Sequence, residues 1–164
     1  MNKKIVAMLL VGVMSVLLIA CSGEKPDQTQ KSSTTEKSEP NTSEKVDEIL
    51  LKAKNDAETI SDSDAESKWE EAFDYLKEHS ENFYENNEVM EKSMYYGEYI
   101  YRYIETNANA KDISQLEDST RAAYDAGYNT VKAIKYVYRN AATTEDDDTK
   151  AALIEAQNAL NKFK

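Results

Sequence analysis

A single cysteine in 164 residues, Cys21, excludes an internal disulfide, so the fold must be held by packing alone. Proline is almost as scarce. Both copies, Pro26 and Pro40, lie in one polar stretch, and residues 45–164 contain none. Glycine occurs in that region only as Gly97 and Gly127. With so few turn-forming residues and no period-two alternation, strands and hairpins are excluded as the main architecture. His79 is the only histidine; it falls near an expected helix end and reads as a solvated residue. One histidine and one cysteine make no His/Cys metal set. There is no glycine-rich phosphate loop and no nucleophile elbow. Nothing here amounts to a catalytic motif, and no cofactor is implied.

What is present begins at the N-terminus. Lys3 and Lys4 precede sixteen uncharged residues, Ile5 to Ala20, and the chain turns polar at Ser22. A positive start, an apolar run and a small residue before the break are the pattern of a secretory signal. A permanent membrane span fits less well, because roughly 20 apolar residues are needed to cross a ~30 Å hydrocarbon core. The stretch Leu18-Ile19-Ala20-Cys21 resembles the lipobox of bacterial lipoprotein precursors. That resemblance implies acylation of Cys21, a thioether-linked diacylglycerol and cleavage just ahead of the cysteine. At about 0.8 kcal/mol per buried CH₂, two acyl chains anchor effectively permanently. The expectation is a protein lipid-anchored on the extracytoplasmic face of the cell membrane.

Residues 22–44 contain no aliphatic or aromatic side chain. Such a segment cannot bury enough apolar area to offset its ordering entropy and reads as a disordered tether. As a coil of 23 residues it spans roughly 25–30 Å. The domain plan is therefore a signal peptide over 1–20, the lipidated cysteine and tether over 21–44, and a folded domain over 45–164. The formal charge is −11, and loss of Lys3 and Lys4 takes it to −13 (−11 − 2). That balance argues against nucleic acid and against electrostatic docking on anionic lipid.

In the folded region apolar residues recur at three and four. The spacing predicts helices over about 44–60, 64–79, 87–106, 113–141 and 145–163: an all-α, antiparallel bundle of four or five helices. Ser43 is the expected cap of the first. Ser63-Asp64-Ala65-Glu66 and Asp112-Ile113-Ser114-Gln115 are capping-box patterns for the second and fourth. Trp69, Ala72, Phe73 and Leu76 form the expected inner face of the second helix, with Trp69 buried against Leu76. Ile154 and Ala141 are placed facing inward. Gly97 and Gly127 lie on apolar stripes, where Gly costs about 1 kcal/mol against Ala; the expected compensation is close approach of the third and fourth helices, the alternative a ligand niche.

Two further patterns bear on function. Ten of eleven tyrosines lie between 84 and 138. Helical phase points Tyr95, Tyr99 and Tyr136 outward, where they either form a binding surface or pack beneath a neighbour. Charge is also segregated: residues 61–91 carry eleven acids against Lys68 and Lys77, a net of −9. On the fourth helix Arg121, Lys132, Lys135 and Arg139 fall on one flank beside Tyr128 and Tyr136. This stripe either takes a negatively charged partner or balances the acidic segment inside the fold. Asp146-Asp147-Asp148 lacks the alternation and central glycine of an EF-hand loop and reads as a helix N-terminus.

Lipobox, tether and helical remainder together look like a small surface lipoprotein of a low-GC Gram-positive bacterium. The stretches MEKSMYYG and KAIKYVYR are similar to segments of such proteins. The expected function is a non-catalytic, membrane-tethered binding or interaction module, with a protein or an anionic envelope polymer as partner. The alternatives are a solute-capturing lipoprotein serving a transporter and a small envelope enzyme.

Overall fold

The computed structural model describes residues 42–108 and 112–162, and each regular element among them is helical. The elements are α1 (Thr42–Thr59), α2 (Asp62–His79), α3 (Asn87–Asn107), a 3₁₀ turn (Ile113–Gln115), α4 (Asp118–Tyr138) and α5 (Asp147–Lys162). The expected signal segment, Cys21 and the expected tether as far as residue 41 lie outside the described residues, as does Phe163.

Local chemistry sets the ends. The Asn86 side chain accepts from the Val89 amide at 3.0 Å and opens α3. At α2 the helix starts two residues before the expected Asp64: Ser61 is the N-cap, and its hydroxyl binds Asp64 instead of a backbone amide. α1 likewise begins at Thr42, inside the stretch read as tether. The expected helix over 113–141 is broken. Asp112 accepts from the Ser114 amide and closes only a 3₁₀ turn. Leu116 and Glu117 then take extended ψ values of 143° and 150°, so the α-helix starts at Asp118. It stops at Tyr138, because Asn140 adopts a left-handed φ of 55° and the amides of Ala141 and Ala142 fold back onto the Tyr136 carbonyl. Ala141 is consequently exposed.

Successive helices reverse direction. Tyr124 reaches Glu105 and Tyr138 reaches Glu91, so α3 and α4 are antiparallel. Glu71 on α2 meets Tyr96, and Trp69 meets Tyr103. The central pair is α3 and α4. A Cβ on Gly97 would stand 2.8 Å from the Gly127 carbonyl oxygen, and one on Gly127 would stand 2.5 Å from that of Gly97. Only glycine at both positions permits this crossing. Around it α1 packs on α3, α2 on α3 and α5, and α5 on α4. The core is filled by Leu76, Phe83, Met94, Tyr99, Ile100, Ile134 and Leu160. Tyr84 ties the α2–α3 connection down through the Ala133 carbonyl at 3.2 Å. Two expectations fail. Trp69 is only half-buried and packs on Phe73 and Tyr103. Ile154 is 55 % exposed, because α5 is covered along one narrow side by α4 and α2.

Candidate functional site

The most distinctive surface feature is a groove of about 360 Å³ between α1 and α4, floored by α3. Arg139 on α4 pairs with Asp47 on α1 outside the groove lining. The groove itself runs between Lys54 on α1 and Tyr128 on α4. The apolar lining comes from Leu50, Leu51, Val131 and the ring of Tyr101. Helical spacing explains the α4 wall: Tyr128, Lys132 and Lys135 are at i, i+4 and i+7 and share one face.

The electrostatics of the groove are uneven. Glu98, 3 % exposed, is its one floor carboxylate. It accepts from Tyr101 at 2.6 Å and from the Arg102 Nε at 2.9 Å, so its charge is already answered from within α3. Burial beside that carboxylate drives the Tyr101 hydroxyl far above the usual tyrosine range. Lys54 is 3.8 Å from Glu58. Neither Lys132 nor Lys135 has a carboxylate within ion-pair distance among the described residues; the Lys135 ammonium lies 5.0 Å from the Tyr136 ring centre. Leu51 and Tyr128 are 59 % and 46 % exposed at the rim. The site can therefore hold an anion beside apolar surface.

The fold divides the expected site residues. Tyr128, Lys132 and Lys135 come together in the groove. Tyr136 lies beside them in a larger hollow, of about 760 Å³, that Lys132 shares with Asp146, Asp147 and Asp148. Arg139 is outside the groove lining and pairs with Asp47. Arg121 is remote, near the start of α4, paired with Asp125. The basic side chains thus do not pair with the acidic segment 61–91. Tyr95 and Tyr99 belong to another face, with Lys52, Asp56 and Lys68. Tyr99, placed outward by helical phase, is fully buried, because α1 covers that side of α3. Tyr95 is half-buried, donates to Asp56 and carries Lys52 and Lys68 over its ring. Sequence reasoning missed Leu51, Lys54, Glu98 and Arg102. Leu51 carried a signal as an apolar residue just off the α1 stripe; the others had none until α1 and α4 were placed.

A second hollow of about 420 Å³ lies against Trp69, Tyr103 and Ala123, with Asn107, Ser119 and Thr120 also lining it. Among the described residues no group of three or more His, Cys, Asp or Glu is placed to hold a metal ion, and no helix is long and apolar enough to cross a membrane. No family model matches the chain, and no curated protein or solved structure matches it either.

Proposed function

We propose that this chain is a lipid-anchored, non-catalytic interaction module held outside the cell membrane, and that the α1–α4 groove receives a negatively charged partner. The observation that carries the binding half is the pair Lys132 and Lys135. They stand over apolar surface with no carboxylate partner among the described residues, in a chain whose net charge is −11. The anchoring half rests on Leu18-Ile19-Ala20-Cys21. Anchoring raises the local concentration of whatever lies at the surface, so modest affinity suffices.

Each half has its own test. Cys21→Ala is expected to leave uncleaved precursor that takes up no labelled fatty acid; normal maturation and labelling of that variant would end the anchor reading. Chemical crosslinking of the native lipidated protein is expected to recover a partner that the Lys132→Gln/Lys135→Gln variant does not. Equal recovery by both would end the groove reading.

A further inference from the structure

Resting on the reading of the groove as the working face, we propose that its ligand is an acidic amphipathic peptide segment of a partner protein, with an apolar side chain between α1 and α4 and carboxylates against Lys132 and Lys135. The lining chooses among anions. A polymer of phosphates and polyols would satisfy the lysines but leave the exposed Leu51 and Tyr128 side chains wet. Leu51, Tyr128 and Tyr136 are three of the four large exposed hydrophobic residues in the described chain, and all three lie in or beside this groove. Apolar surface gathered around unpaired cations calls for a ligand with both characters.

The surroundings exclude a broad anionic surface. Asp47 and Glu58 flank the α1 wall, and Asp146 to Asp148 adjoin Lys132 on the side away from the groove. A flat lipid headgroup layer pressed onto this face would meet those acids along with the lysines. A narrow segment lying within the groove meets the lysines alone. The floor does not compete for them, because Glu98 is already engaged by Tyr101 and Arg102.

The test places photoreactive benzoylphenylalanine at Tyr128 in the full lipidated protein in its cells, with Ile154 on α5 as the control position. The expected result is a protein adduct from position 128 and not from 154, whose crosslinked peptide carries Asp or Glu next to apolar residues. Its yield is expected to fall about tenfold or more in Lys132→Gln/Lys135→Gln, through loss of two charge-assisted contacts. Leu51→Ser, at an exposed position, is expected to weaken the adduct likewise and serves if the double variant folds poorly. An adduct with lipid or polymer, or an acid-free peptide, overturns the peptide assignment and leaves the groove reading standing, whereas a yield indifferent to these changes overturns both. No adduct from position 128 overturns both.

Discussion

Tyrosine hydroxyls divide this protein's aromatic residues into two kinds. Five donate to carboxylates: Tyr95 to Asp56, Tyr96 to Glu71, Tyr101 to Glu98, Tyr124 to Glu105 and Tyr138 to Glu91. Four of these bonds join different helices, so most of the tyrosine abundance is absorbed by packing. Tyr84, which reaches a backbone carbonyl, is pushed by burial up to about 12. Tyr99 differs: its ring is fully buried, but its hydroxyl has no hydrogen-bond partner among the described residues. Leaving a buried hydroxyl unpaired costs about 1–3 kcal/mol, whereas removing a typical hydrogen bond costs about 0.5–1.5 kcal/mol. Tyr99→Phe is therefore expected to be neutral or stabilising in urea unfolding, and Tyr138→Phe destabilising. A greater loss for Tyr99→Phe than for Tyr138→Phe would show that the Tyr99 hydroxyl is satisfied after all.

Between elements, the decisive contact is the crossing of α3 and α4. Replacing glycine by alanine inside a helix ordinarily stabilises it by about 1 kcal/mol. Here the added methyl at Gly97 or Gly127 meets the other helix's backbone, which cannot rotate away as a side chain can. Overpacking of this kind costs typically 1–3 kcal/mol. Gly127→Ala, with the shorter approach, is expected to lower the urea midpoint more than Gly97→Ala, and both should fall below wild type. A rise in midpoint for either variant would mean that α3 and α4 do not cross this closely. The same pair also sets the groove, since α3 supplies its floor and α4 one wall.

For the molecule as a whole, pH is the lever that distinguishes its charges. Asp56, Glu71 and Glu91 are all held below the usual carboxylate range. Burial opposes this at Asp56 and Glu91, where hydrogen bonds from lysine and tyrosine outweigh it. At Glu71 the bonds from Lys68 and Tyr96 are themselves the largest influence. A carboxylate with a lowered folded pKa binds fewer protons folded than unfolded. Its contribution is complete above the unfolded value of about 4 and is lost as pH falls through the folded value. All three side chains are partly solvated, which screens the effect. Relief of self-repulsion in a chain of charge −11 acts in the opposite sense, and about 0.15 M salt, with a Debye length near 8 Å, weakens it. Tm measured in that salt is expected to hold from pH 7 to 5 and to fall below about pH 4. A Tm that rises on acidification to pH 3 would show repulsion to be the larger effect.

Periodicity and composition by themselves determined the helical class, a bundle of four or five helices, and the tight α3–α4 approach at Gly97 and Gly127. These properties are encoded locally: a stripe at three and four residues must be buried, and a glycine on that stripe marks where backbones meet. The resemblance of Leu18-Ile19-Ala20-Cys21 to a lipobox is local too, and it rests on sequence alone. Tertiary structure decided which flank of each helix is covered a second time. Helical phase places Tyr99 off the α3 stripe, but α1 lies over it; the same phase places Ile154 inward, and no helix covers it. It also decided the site. Lys132 and Lys135 were visible as a basic flank, yet whether they balance the acidic segment or face solvent depends on which helix lies beside α4. Leu50, Leu51 and Lys54 on α1 stand opposite them, at least 78 positions earlier in the chain (132 − 54 = 78). Nothing in either segment records the other, because only the packing of both on α3 brings them face to face.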